Sequence, residues 1–389
     1  MLECRRPAVV FGLLHAGLAL TRGLGRRGVP VHGITLHDTE FGLRSRYLVS
    51  RRCFDGGDEA ARDAALLARL RAICEASGER LVLFPERDEN VAFVLDNWEA
   101  VTAIADVPLP PDPDVTRSVR RKERLVEVAE AAGVPAPRTV LATGEHAIRG
   151  AGLRPPFLLK PVEGQEFALH FGHKAIVAQT MDDAIEAWQG ARDAGFETLV
   201  QELIPDSTER IFSLLTYIGR EDRPLGSLVG RKVRQGPLHF GTSAYFAAEH
   251  DDRVLELGHR LLLHCGYRGF AHVEFAYDAR DDTYKLLEVN TRVPVWFGIA
   301  ATPAFDLTSI AYDDLCGHPA APAEVCTDDL CWAYLAKDVA VSLQMARRGE
   351  LNVGEVFSGY TRRKIRATWA SDDIVPAVAS LRYLLSRVT

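Results

Sequence analysis

The chain opens with a short apolar run at 8–12. Leu18, Leu20 and Leu24 then recur at helical spacing, and a second apolar run covers 29–36. This predicts a strand, a helix over 16–27 stopped by Gly28, and a strand. Such a βαβ unit implies a parallel sheet. An amphipathic helix over 59–77, a strand over 81–84 and a helix near 90–99 continue the alternation. Residues 1–113 therefore read as one doubly wound α/β domain. A proline-rich joint, VPLPPDPDVTRS, follows. Beyond it the pattern predicts a helix over 122–132, strands over 157–161 and 175–178, and a helix over 181–194. From Leu199 the apolar positions alternate, and strands dominate up to a helix over 253–265 and a strand pair over 270–277 and 284–290. The tail from about 319 reads as mostly helical. The fold class is α/β, α+β in part.

With 389 residues the chain has room for two or three domains. Its 47% hydrophobic and 25% charged composition is that of an ordinary globular protein. The formal charge of −7 gives no general attraction to nucleic acid or to an anionic membrane, and neither is expected as a partner. No run of 18 apolar residues exists to span a bilayer. The N-terminus has the basic head and apolar run of a signal peptide, but His15 and glycines interrupt the run and no A-x-A site follows, so no leader is expected. Seven scattered cysteines without a CxxC pair argue against a disulfide framework or a zinc ribbon and for a reducing cytoplasm. Lysine is scarce: seven, among 46 basic residues. A lysine in a suggestive place is thus less easily dismissed as surface decoration.

Gly23-Leu-Gly25-Arg-Arg-Gly28 spells the dinucleotide fingerprint GxGxxG, but it falls at the end of a helix instead of opening one, where amides would meet a pyrophosphate. His170/His173 and His259/His264 lack a ligand set and read as surface or core histidines.

The strongest signal is HVEFAYDARDDTYKLLEVNTR. A turn centred on Asp281 would pair Asp278 with Tyr284, Ala276 with Leu286, Glu274 with Glu288 and His272 with Asn290. Glu274, Glu288 and Asn290 would then share one face, while Val273, Phe275, Tyr277, Leu287 and Val289 enter the core. Two facing glutamates repel unless a cation lies between them. Two carboxylates and an amide oxygen suit Mg²⁺, with Mn²⁺ as an alternative. The competing reading is a pair of solvent-facing glutamates, and a one-residue slip would break the arrangement. In GRKVRQG, regular alternation puts Lys232 and Arg234 on one face beside Arg231. They suit a substrate carboxylate or acyl phosphate, or else form a solvated strand edge. Asp88 and Glu89 follow a strand at the carboxyl edge of the first sheet, where they suit a substrate amine or a helix cap. His239 is a candidate base.

At these residues the chain resembles the ATP-grasp superfamily. RKERLVEVAEAAGVPAPRT resembles the segment carrying the first nucleotide lysine, here Lys122, and FLLKP the strand carrying the second, Lys160. LVQELIP resembles the adenine hinge, which implies Glu202, Leu203 and Ile204, with Glu209 as the ribose-binding acid. EVNTR resembles the last metal strand, which implies Glu288 and Asn290 as ligands and Arg292 beside the transferring phosphoryl group. The segments keep the family's order from 122 to 292. VLFPERDENVAFV, GRKVRQGPLHFGTS and WASDDIVPAV further resemble the D aspartate ligase-like group of carboxylate–amine ligases. One departure is the missing GxGS loop after Lys160, where the chain has VEGQEFALHFGHKAIV.

The resemblance implies an ATP-grasp fold with a pre-ATP-grasp domain (1–113), a small subdomain (114–195), a large subdomain with the metal site (196–318) and a helical extension (319–389). It implies an enzyme that uses ATP and Mg²⁺ to join a small carboxylate to an amine, both amino-acid-like, through an acyl phosphate. The alternatives are an ATP-dependent carboxylase and an NAD-dependent oxidoreductase. A homodimer is expected only from base rates.

Overall fold

The computed structural model describes residues 6–162, 165–173, 175–205, 210–238, 241–318, 322–323, 330–351 and 363–385. The first domain is a five-stranded parallel sheet in the order Leu48–Cys53, Val31–Thr35, Ala8–Phe11, Leu81–Pro85, Ala105–Asp106. Its central strands are buried on both faces, as parallel strands require. One face packs on helix Glu59–Ser77 through Leu66, Leu70 and Ile73. The other carries helix His15–Arg26, whose Leu20 and Leu24 belong to a core shared with Leu215 of the later sheet and with Trp296 and Phe297, which follow its hairpin. Sharing that core fixes the first domain against the rest of the chain.

The glycines of the apparent fingerprint serve this packing. A Cβ on Gly25 would lie 2.5 Å from Tyr47 and one on Gly23 would lie 3.1 Å from Thr308, while Gly28 takes the positive φ of +75° that ends the helix.

A four-stranded antiparallel sheet follows, ordered Thr139–Leu141, Thr198–Glu202, Phe157–Pro161, Ile176–Ala178, with helix Met181–Asp193 packed on it. The largest sheet has seven strands: Thr283–Asn290, Gly269–Asp278, Ile211–Ile218, Pro224–Gly236, Thr242–Ala248, Leu330–Ala333 and Arg363–Arg366. Its neighbours are antiparallel except for the last pair. The tail thus adds two strands to this sheet, besides helices Leu335–Arg347 and Val375–Leu385. Among the described residues no helix is long and apolar enough to cross a membrane.

Candidate active site

Strands Gly269–Asp278 and Thr283–Asn290 pair with His272 opposite Asn290 and Glu274 opposite Glu288, the register that alternation predicts at this end. Beyond Glu274 a bulge gives the second strand one extra residue, Leu287. Phe275 then faces Leu286, Ala276 faces Lys285 and Asp278 faces Thr283, so the expected Ala276–Leu286 and Asp278–Tyr284 pairs do not form. The extra residue reverses the alternation. Leu286 enters the core and Leu287 lines a cleft, where regular pairing had placed Leu287 inside.

That cleft, of about 460 Å³, runs between the four-stranded sheet, the hairpin and the first domain. Eleven of the sixteen candidate residues named from sequence line it: Asp88, Lys122, Lys160, Glu202, Leu203, Ile204, Lys232, Glu274, Glu288, Asn290 and Arg292.

Glu274 is buried and receives the Lys232 ammonium at 2.8 Å. Burial opposes its charge most strongly, but Lys232, a hydrogen bond with Glu288 and the charge of Arg292 together outweigh it and hold the carboxyl below its ordinary range. Glu288 moves the other way: partial desolvation by the cleft walls first, then the facing Glu274, push it up. The facing carboxyls are thus pushed in opposite directions, and a proton held between them would relieve the like-charge contact. A divalent ion would serve the same purpose. Among the described residues no three His, Cys, Asp or Glu side chains gather as a closed cage. Two carboxylates and an amide fit a hard ion that keeps water and phosphate ligands. The Asn290 amide nitrogen donates to Glu288 Oε1 at 2.9 Å and its oxygen accepts from Arg292 at 3.4 Å. An amide flip would turn that oxygen toward the carboxylates. Arg292 also donates twice to Asp88 Oδ2, at 3.0 and 2.8 Å, tying the cleft to the first domain.

Lys160 Nζ donates to Gln201 Oε1 at 2.7 Å, and Lys122 Nζ to the Pro161 carbonyl at 3.1 Å. Burial pushes Lys160 down to about 8, with Lys122 adding to the effect and Glu288 opposing it. Gln201 escaped the sequence reading, although its alternation with Glu202 in LVQELI is the signal for it. The Glu202 carboxylate is engaged by Arg154, through its backbone NH at 3.0 Å and its guanidinium at 3.3 and 3.2 Å. The same guanidinium pairs with Asp281 in the hairpin turn, so Arg154 joins the small sheet to the large one. Glu209 and His239 lie outside the described residues.

Lys232 and Arg234 do not share a face. Lys232 opposes Phe246 and Arg234 opposes Tyr245, so Val233 is an extra residue in a bulge. Arg234 is turned away from the cleft onto Asp338, at 2.6 and 2.8 Å, and over the Tyr245 ring. Arg231 is half-exposed and pairs with Glu249 at 3.1 Å. Neither lines the cleft.

The mouth of the first sheet is filled by its own acids. Glu40 accepts from the Leu13 amide and Glu86 from the Leu14 amide, while a Cβ on Gly12 would lie 2.7 Å from Glu86 Oε2. The turn whose amides would receive a pyrophosphate in a dinucleotide fold is occupied by carboxylates, which argues against the oxidoreductase alternative.

Residues 236–308 match the family model for the carbamoyl-phosphate synthase L chain, ATP binding domain. Over 183 residues the chain is 25% identical to the D-aspartate ligase of Enterococcus faecium (strain Aus0004). That match covers 44% of this chain and 44% of the relative, so it spans less than half of the curated relative's length. Similar solved structures include a biotin carboxylase from Campylobacter jejuni, with a TM-score of 0.64, 16% identity, and 84% and 75% of the two chains covered. Another is an L-amino acid ligase from Bacillus licheniformis, with a TM-score of 0.59, 13% identity, and 80% and 74% covered.

Proposed function

We propose that this chain, an ATP-grasp protein by its fold and its matched domain, is an ATP-dependent carboxylate–amine ligase acting on small, amino-acid-like substrates. The observation that carries the reading is the facing Glu274–Glu288 pair in a cleft that also holds Lys122, Lys160 and Arg292. The likeness to an L-amino acid ligase and a D-aspartate ligase supports the choice of amide-bond chemistry.

A free carboxylate is a poor electrophile toward an amine. In the proposed reaction its oxygen attacks the γ-phosphorus of ATP, the bond to the β-phosphate bridge breaks, and ADP leaves. The amine then attacks the acyl carbon, and phosphate departs with the bonding electrons as the amine loses a proton. The protein's part is positioning and charge stabilisation. Lys122 and Lys160 face the phosphate tail. Arg292, oriented by Asp88, offers a planar guanidinium to the group in transfer. Lys232 keeps Glu274 ionised. Bound Mg²⁺, held by Glu274, Glu288 and Asn290, would neutralise the β- and γ-oxygens.

The test is phosphate release with ATP, Mg²⁺ and pools of amino acids. Carboxylate-dependent ADP and phosphate formation is expected, with hydroxylamine trapping a hydroxamate. AMP and pyrophosphate would overturn the reading. The likeness to a biotin carboxylase supports a second reading, ATP-dependent carboxylation, which would instead show phosphate release driven by bicarbonate.

Lys160 makes nucleotide binding pH-dependent. Free, it titrates near 8, and a bound polyphosphate raises that value. Below pH 8 the ammonium is already formed. Above it, binding must take up a proton, so Mg·ADP affinity falls by up to about tenfold per pH unit until the bound-state value is reached. Titration calorimetry at pH 9 in buffers of different ionisation enthalpy should show this uptake. Lys160→Met should abolish it; a pH-independent affinity in the wild type would refute the assignment.

A further inference from the structure

We propose that Lys337, His15 and Tyr334 form an anion subsite at the edge of the cleft, taking the non-reacting carboxylate of an acidic substrate. This rests on the ligase reading, because it assigns the second carboxylate of a molecule whose first is activated over Glu274 and Glu288.

Lys337 lies in the first turn of helix Leu335–Arg347 and reaches back over Gly236, where a Cβ would meet its Cε at 3.0 Å. Its ammonium donates to the carbonyl of Thr242, at 3.0 Å, and to the Thr242 hydroxyl. Thr242 is itself a wall residue of the cleft that holds the glutamate pair. The other cations on this side each have an acid: Lys232 has Glu274 and Arg234 has Asp338. Among the described residues no carboxylate lies within ion-pair distance of Lys337.

Its placement compounds the cost. A cation in the first turn of a helix faces the positive end of the backbone dipole. The helix begins at Tyr334 with no side-chain cap, and the one acid of that turn, Asp338, is turned onto Arg234. Burial, then the charge of Lys232, push Lys337 down to about 8.

Two further polar groups nearby lack an acceptor. His15 Nε2 and the Tyr334 hydroxyl have no hydrogen-bond partner among the described residues, although the side chains are only 7% and 6% exposed. Their rings lie 4.4 Å apart, and Lys337 is the charge that His15 feels. Neutral imidazole can present an N–H at Nε2, so ammonium, imidazole and phenol make a group of three donors. Buried polar groups are rarely left unpaired, and a carboxylate accepts from all three.

The experiment is thermal shift and calorimetry on the full chain with Mg·ADP, probing aspartate (both enantiomers) and succinate against alanine and propionate. The dicarboxylates are expected to bind and the monocarboxylates to bind at least about tenfold more weakly. Lys337→Met should weaken dicarboxylate binding about 10- to 100-fold while keeping the Mg·ADP response, which doubles as its folding control. Tyr334→Phe removes one hydroxyl, should give a smaller loss, and carries the test if the lysine variant does not fold. Equal binding of succinate and propionate, or unchanged aspartate affinity in the variants, overturns the subsite. A wild type that binds dicarboxylates but not Mg·ADP overturns the ligase reading and leaves the subsite standing.

Discussion

Glu288→Ala is expected to lower ATP-dependent phosphate release by about 10²–10³-fold or more while leaving the protein at least as stable as the wild type. The two effects have opposite origins in one side chain. Glu288 faces Glu274 from the open side of the cleft, and both partial desolvation by the cleft walls and that neighbour disfavour its charge. Removing it relieves a like-charge contact, and Glu274 keeps its Lys232 partner at 2.8 Å. No buried charge is left alone, so the usual reason for collapse is absent. What is lost is half of the carboxylate pair that would face a cation and, through it, the phosphate tail. Asn290 also loses the acceptor of its amide hydrogen and with it one constraint on its orientation. The measurements are phosphate release at saturating ATP and the thermal midpoint of each protein. Near-normal turnover would remove the metal assignment. A large fall in the midpoint would show that the pair is structural.

The register of this hairpin was legible at one end and not at the other, for a physical reason. His272, Glu274, Glu288 and Asn290 pair as strict alternation dictates. The extra residue at Leu287 shifts everything toward the turn. There Asp278 gathers Arg280 and Lys285 at 2.8 Å each, and Asp282 takes a positive φ. A period-two pattern carries no mark of a bulge. The same blindness put Arg234 beside Lys232: one unpaired residue, Val233, sends it to the opposite face, where Asp338 from a helix about a hundred residues later receives it. Lys160 and the hinge strand were reached through the family resemblance, because each motif lies within one strand. Arg154 was not, because its two acids, Glu202 and Asp281, come from different sheets. Nor was Lys337, whose setting is created by the meeting of the tail helix with the first domain's His15. Residues acting within one strand leave a trace in sequence; those acting between domains do so only once folded.

WASDDIVPAV, conspicuous in the tail, supplies such an interdomain contact, and two adjacent aspartates in it are expected to differ sharply in value. Asp373 pairs with Arg22 of helix His15–Arg26 at 3.0 Å, with side chains 1% and 7% exposed. It also accepts from the Ser45 hydroxyl at 2.7 Å and the Arg46 amide at 3.0 Å. Asp372 pairs with Arg26 on the same helix at 2.8 Å, but there the side chains are 39% and 44% exposed. Asp373→Ala leaves a buried guanidinium whose charge burial already opposes, at a cost of about 3–5 kcal/mol. Against a typical total of about 5–15 kcal/mol, that is enough to loosen the tail from the first domain. Asp372→Ala removes a solvated pair and should cost about 0–1 kcal/mol. Joint replacement, Arg22→Met with Asp373→Leu, removes both charges and should recover much of the loss, since breaking a buried pair costs more than deleting it. Denaturant midpoints of the four proteins decide it. Equal effects at 372 and 373, or no recovery in the double variant, would mean that burial of the Arg22 charge is not what makes the contact strong.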